Sequence, residues 1–195
     1  MKVWANLRQG PVYVSRRIAY KLYERRHPDE PWLAQGAVRF FDRELPRDGA
    51  GFEWGSGRST AWFAARLAGL TSIEMDEDWY EIVRGRVNGN VDLRHIAIEH
   101  GRHEQTPDFP EPTPRYVAAI DEFDDGSLDF VLVDGHYRHA CVREALPKVK
   151  PGGLLAIDNT NWLPNLSEWR VPSEWPVVHQ SENVMTQTTV WRAPI

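Results

Sequence analysis

Leu128-Asp129-Phe130-Val131-Leu132-Val133 and Gly153-Leu154-Leu155-Ala156-Ile157 are two short, nearly continuous apolar runs, and a helix-length segment, residues 138–147, lies between them. A strand that is apolar at successive positions is buried on both faces, as happens when helices cover both sides of a parallel sheet. The rest of the chain repeats the alternation. Residues 12–26 and 31–45 read as helices parted by His27-Pro28-Asp29-Glu30-Pro31, and Pro46 to Gly49 as a turn. A strand ending at Trp54 precedes a helix over 58–68 that stops at Gly69. Thr71 to Met75 is a strand, 78–87 a helix closed by Asn88-Gly89-Asn90, and 92–98 a third strand. His100 to Pro114, with Pro107, Pro110, Pro112 and Pro114, reads as a loop before a short helix at 115–122. Pro151-Gly152 is a turn, and the tail carries strands near 176–181 and 186–192. This order predicts an α/β fold, a mostly parallel sheet with helices on both faces.

A length of 195 residues suits one domain with a single sizeable core, and there is no internal repeat or low-complexity tract. Within it, 1–47 is expected to form an N-terminal helical cap, 48–160 a ligand-binding core, and 161–195 the C-terminal strands and a substrate rim. No apolar run approaches the ~20 residues of a membrane-spanning helix. Arg8, Arg16 and Arg17 interrupt any secretory signal core, and the single cysteine, Cys141, excludes an intramolecular disulfide. Both point to a reducing, cytoplasmic setting, with Cys141 a small core residue rather than a nucleophile. A net charge of −5 argues against bulk nucleic-acid binding, which draws on many Lys and Arg phosphate contacts. Ser15 to Arg26 is a basic exception. It is either the solvated face of a surface helix or a patch for an anionic substrate, partner or membrane surface. Of nine tryptophans, Trp162, Trp169, Trp175 and Trp191 fall in the last fifth of the chain, as core residues or as walls of a substrate pocket.

Parallel sheets bind ligands at the carboxyl ends of their strands. That directs attention to Glu53–Gly57, Glu74, Ile98–Glu99, Asp134–His136 and Asp158–Asn159. In Glu53-Trp54-Gly55-Ser56-Gly57-Arg58-Ser59-Thr60, two glycines at a strand-to-helix turn let backbone approach a ligand. Thr60 stands where a dinucleotide fingerprint has its third glycine, and Glu53 would repel a pyrophosphate. The loop thus favours a cationic nucleoside over NAD. Glu74, about 20 residues on, can accept from ribose hydroxyls or serve as a helix-start acid beside Asp76, Glu77 and Asp78. Asp134, Asp158 and Asn159 are hard oxygen donors at neighbouring strand ends. They suit Mg²⁺ or Ca²⁺, or else they orient the loop and cap the turns. His136 is a candidate general base or a pocket wall, and His139 a pocket wall. Tyr137 and Arg138 are candidate substrate contacts.

Four segments in this order and spacing resemble the class I S-adenosylmethionine-dependent methyltransferases. They are Glu53-x-Gly55-x-Gly57, Glu74, Phe130 to Gly135, and Lys150-Pro151-Gly152-Gly153-Leu154-Leu155, and together they cover about residues 48–160. The resemblance implies a Rossmann-like, seven-stranded sheet whose last strand is antiparallel. It implies S-adenosylmethionine as cofactor, held by Glu53, Gly55, Gly57, Thr60, Glu74 and Asp134, with residues near Ala97 to His100 beside the adenine. Ile157-Asp158-Asn159 is similar to the catechol-type O-methyltransferases, in which acids after the fourth and fifth strands bind Mg²⁺; here those would be Asp134, Asp158 and Asn159. The catechol-type lysine falls on Tyr137, so His136, with Asp134, becomes the catalytic candidate. Sugar O-methyltransferases of natural-product pathways share the same signature. The expectation is methyl transfer to a hydroxyl of a small-molecule acceptor, Mg²⁺-assisted. The alternatives are a metal-independent enzyme, a catalytically idle cofactor-binding domain that acts through a partner, and a nicotinamide-dependent oxidoreductase. Oligomeric state is not legible.

Overall fold

The computed structural model describes residues 10–99, 112–163 and 165–195, so most of the expected proline-rich loop, residues 100–111, lies outside the described residues. A helix α1 (Gly10–Arg26) and a second, α2 (Gln35–Glu44), precede the sheet. Five strands then alternate with four helices: β1 (Ala50–Trp54), α3 (Arg58–Ala64), β2 (Gly69–Glu74), α4 (Glu77–Arg84), β3 (Val91–His95), α5 (Arg115–Ala118), β4 (Leu128–Val133), α6 (Arg138–Ala145) and β5 (Val149–Ile157). Two 3₁₀ turns, Thr160–Trp162 and Leu166–Trp169, lead to the hairpin β6 (Val177–Glu182) and β7 (Gln187–Arg192).

The strands form one sheet in the order β3-β2-β1-β4-β5-β7-β6. All neighbours from β3 to β5 pair in parallel, whereas β7 is antiparallel to both β5 and β6. This is the predicted architecture, with the last strand reversed. Phe130, Val131, Leu132 and Val133 are all fully buried, as an apolar strand covered on both faces must be. Phe52, Trp54, Val131, Val133, Leu155 and Ile157 face one layer with α5 and α6; Phe130, Leu132, Leu154 and Ala156 face the other with α2 and α3.

Several boundaries differ from the sequence reading by up to four residues, α3, β3 and α5 ending early, and two of the differences have a visible local cause. α2 begins at Gln35 rather than at residue 31, because Pro31-Trp32-Leu33 turns and Ala34 becomes the extended residue before the helix. β5 begins at Val149 and absorbs the expected Pro151-Gly152 turn as a bulge: Leu128 pairs with Val149 and Phe130 with Leu154. Gly152 permits it with φ +78°, and its N–H donates to Ala193 O at 3.0 Å.

The strand order reverses between β1 and β4, which opens a crevice at their carboxyl ends. Gly55 N donates to Ile73 O at 2.9 Å and Asp134 N to Trp54 O at 3.0 Å, so three strand ends are tied at one level. Gly55 has φ +93°, and a β-carbon there would lie 2.8 Å from Asp134 O. Only glycine fits where the two strands part.

Candidate functional site

The glycine loop is braced from below. Glu53 is fully buried and accepts the Thr60 hydroxyl and, at 2.7 Å, the Ser72 hydroxyl. Thr60 Oγ1 in turn accepts Gly57 N–H at 2.9 Å. Burial pushes the Glu53 carboxyl up to about 7, against the Thr60, Ser72 and Ser59 hydroxyls, which favour its ionised form. Its Oε2 has no partner at hydrogen-bonding geometry. Thr60, expected among the cofactor contacts, is wholly buried with its hydroxyl spent between Gly57 and Glu53, so it shapes the loop instead. Gly57 is different. A β-carbon there would meet only Ser59 Oγ at 4.0 Å, so the space above it is open.

Glu74 closes β2 with every carboxylate lone pair engaged. Oε2 accepts Ser56 N–H at 3.0 Å and Ser56 Oγ–H at 2.7 Å; Oε1 accepts the N–H groups of Met75 at 2.8 Å and Asp76 at 2.9 Å. The backbone bonds fix the carboxylate at the mouth of the crevice. The Ser56 hydroxyl is the one partner that a ligand hydroxyl can replace by rotation. Asp76 caps α4, accepting Trp79 N–H at 2.9 Å. Trp79 Nε1 donates to Ser56 O at 2.8 Å, and Trp32 stacks on Trp79 with centroids 6.1 Å apart. Arg58 lies 4.9 Å over the Trp32 ring, and its Nη1 is buried without a partner.

At the ends of β4 and β5, Arg138 dominates. Its buried guanidinium donates to the carbonyls of Gly135 (3.0 Å), Asp134 (3.0 Å) and Asp158, and to Asp134 Oδ1 (3.0 Å), beneath the Trp162 ring at 4.6 Å. The sequence reading made it a substrate contact; the structure makes it a clamp joining two strand ends. Asp158 is buried, and its two oxygens accept the hydroxyls of Thr186 (2.7 Å) and Thr188 (2.5 Å). Asn159 adopts φ 58° and donates its amide to Thr186 Oγ1 at 2.7 Å. Burial first, then the charge of Asp158, raises the Asp134 carboxyl to about 8, with Arg138 opposing. Asp158 is raised as well, chiefly by burial.

The expected Mg²⁺ triad does not survive this geometry. Asp158 has both oxygens engaged by threonines, Asp134 is paired to an internal cation, and the Asn159 amide points its donor at Thr186. No group of three His, Cys, Asp or Glu side chains able to hold a metal occurs among the described residues. A second cation beside Arg138 would be repelled, so the donor set does not fit a divalent ion.

A cavity of about 460 Å³ lies between these strand ends and α1, which was read as a solvated basic face or an anion-binding patch. Arg17, Tyr20, Lys21 and Glu24 of α1 line it on one side; Asp134, Asp158, Asn159 and Thr186 line it opposite, and Trp32 and Met185 wall it. The sequence reading named this segment without choosing its inward face; Tyr13, Arg17, Tyr20 and Glu24 recur at helical spacing and so share one. His136 is not among the lining residues; its carbonyl accepts the Cys141 thiol at 3.3 Å. Tyr137 is buried with φ 49° at the start of α6, and His139, expected as a pocket wall, is buried and stacks on Trp169 at 4.9 Å without lining the cavity. Cys141 is a fully buried core residue, as expected. Ile98 packs against the core and Arg115 pairs with Glu99, while His100 lies outside the described residues. No described helix is long and apolar enough to cross a membrane.

No protein-family model matches the chain, and no curated protein matches it in sequence. Solved structures do match in fold. A putative methyltransferase, yhhF, from Escherichia coli superposes with a TM-score of 0.58 at 14% identity, over 86% of this chain and 89% of that one. An rRNA methylase from Streptococcus thermophilus gives 0.59 at 12%, over 85% and 100%. SMU.1697c, a putative methyltransferase from Streptococcus mutans solved with S-adenosylhomocysteine, gives 0.56 at 11%, over 79% and 93%. The chain therefore has the Rossmann-like fold of the class I methyltransferases, with its crevice at the ends of β1 and β4.

Proposed function

We propose that the chain is an S-adenosylmethionine-dependent methyltransferase that acts on a hydroxyl of a small molecule and needs no Mg²⁺. The carrying observation is the glycine loop at the end of β1, with open space over Gly57 and, at the end of the neighbouring β2, a Glu74 carboxylate fixed by backbone N–H groups. A backbone loop with carboxyls at neighbouring strand ends suits a nucleoside that carries a sulfonium cation. In this reading Gly55 and Gly57 give close approach, Glu74 holds the ribose hydroxyls, and Glu53 with Thr60 holds the loop in shape. The bound cofactor would supply an electrophilic methyl group.

The acceptor lies in the 460 Å³ cavity, and Asp134 takes its hydroxyl proton. Asp134 replaces His136 as the base in this proposal because it lines the cavity. A carboxyl raised to about 8 is also a stronger base, when ionised, than an ordinary aspartate. Arg138 holds Asp134 in place and offsets its charge, the service a metal would otherwise give. Net charge −5 and a cavity of this size favour a small acceptor over RNA, although one structural neighbour is an rRNA methylase. The test is transfer of labelled methyl from S-adenosylmethionine to a panel of hydroxyl compounds, in excess chelator and again with Mg²⁺. Turnover that survives chelator supports the proposal, whereas turnover only with Mg²⁺ overturns the metal-free reading.

A further inference from the structure

Helix α1 carries Arg16, Arg17, Lys21, Arg25 and Arg26 against a single acid, Glu24, in a chain whose net charge is −5. Five basic residues are thus grouped on one element of an acidic chain, and that element forms a wall of the cavity. Arg17 is turned inward by helix geometry and steadied by Tyr13, whose hydroxyl accepts from its Nη1 at 3.1 Å. Neither Arg17 nor Lys21 has a carboxylate within ion-pair distance among the described residues, Glu24 included. The opposite wall is the reverse. Asp134 and Asp158 stand there with Arg138 already committed to them. The cavity is therefore polarised across its width, with a semi-apolar middle of Trp32, Tyr20 and Met185.

Resting on the methyltransferase reading, we infer that Arg17 and Lys21 form an anion subsite, and that the acceptor is a small hydroxyl compound carrying a phosphate or carboxylate group. The anion docks on α1, the body lies against Trp32 and Met185, and the hydroxyl is presented to Asp134. An acceptor with the opposite charge layout would set its anion against the carboxyl wall and forgo the α1 cations, and is disfavoured. The subsite also orients: cations at one end of the cavity and carboxyls at the other favour one direction of entry.

The cofactor's own carboxylate is the other anion that could reach α1, so the experiment separates the two. S-adenosylhomocysteine is titrated calorimetrically into the full chain and into Arg17→Ala/Lys21→Ala. Inorganic phosphate and glucose 6-phosphate, with glucose as control, are then titrated into each protein saturated with S-adenosylhomocysteine. The inference expects similar S-adenosylhomocysteine affinity in both proteins. It also expects phosphate-bearing probes to bind the unaltered chain about ten-fold or more tightly than the variant, with glucose unaffected. Circular dichroism confirms that the variant is folded, and Arg25→Ala/Arg26→Ala, which does not touch the cavity lining, should bind as the parent does. If the Arg17/Lys21 variant loses S-adenosylhomocysteine instead, the cations serve the cofactor and the inference fails. If phosphate and sugar phosphate bind neither protein, it fails while the methyltransferase reading stands. Tight binding of an RNA oligonucleotide that is lost in the Arg17/Lys21 variant would overturn the small-acceptor assignment. Failure of S-adenosylhomocysteine to bind the parent chain would remove the underlying reading itself.

Discussion

Replacing Glu53 by Gln isolates the buried acid beneath the loop. Glu53 has no exposed surface, and burial raises its carboxyl from 4.5 to about 7. The folded state therefore holds a proton on Glu53 over a pH range in which the unfolded chain has released it. Stability falls as pH rises wherever the native state binds more protons. The contribution is full below pH 4.5 and is lost progressively up to about pH 7. At about 1.4 kcal/mol per ten-fold change in acidity, that displacement is worth about 3 kcal/mol. Glutamine keeps an oxygen for Thr60 and Ser72 and cannot ionise. The parent and Glu53→Gln should thus be similar in stability at pH 4, with the variant ahead by about 3 kcal/mol at pH 8. In a chain of 195 residues this is a melting difference of about 6–12 °C. Urea denaturation at several pH values gives the free energies directly. A stability difference that does not change with pH would refute the assignment of Glu53 as a protonated brace.

The two glycines of the loop should separate stability from binding. Gly55→Ala meets both a positive φ and the Asp134 carbonyl, and should cost at least about 1–2 kcal/mol in chemical denaturation. Gly57→Ala should leave stability within about 0.5 kcal/mol, since its β-carbon enters open space, yet weaken S-adenosylhomocysteine binding in calorimetry. Arg138→Ala strands three carbonyls and removes the cation beside Asp134; breaking a buried pair of this kind costs about 3–5 kcal/mol, read in the same denaturation experiment. Once an acceptor is identified, its methylation rate should rise with pH through about 8 as Asp134 ionises, and Asp134→Asn should abolish that dependence.

The mostly parallel sheet and its ligand-facing strand ends were legible because β4 and β5 are apolar at successive positions and Gly55 and Glu74 fall at strand ends. Periodicity reports burial, and burial follows topology. Thr60 was misassigned because a hydroxyl beside a glycine loop looks the same in sequence whether it faces the ligand or the sheet. Its partners, Glu53 and Ser72, come from two strands that only pairing brings together. The Mg²⁺ triad failed for a similar reason. Asp134, Asp158 and Asn159 carry suitable atoms, but their occupancy is decided by Arg138 and by Thr186 and Thr188, which reach the site from the reversed strand and the turn before it. The charge on α1 and its place in an N-terminal cap were expected from the sequence; which of its residues line the cavity was not, since that is decided by the tertiary fold.

The most direct test of the account is calorimetric titration of S-adenosylmethionine, S-adenosylhomocysteine and NAD into the parent chain and into Glu74→Ala. The account predicts saturable one-to-one binding of the first two, a higher melting temperature in their presence, and loss of most of that affinity in the variant. No binding of either nucleoside at millimolar concentration, or binding of NAD in their place, would contradict it.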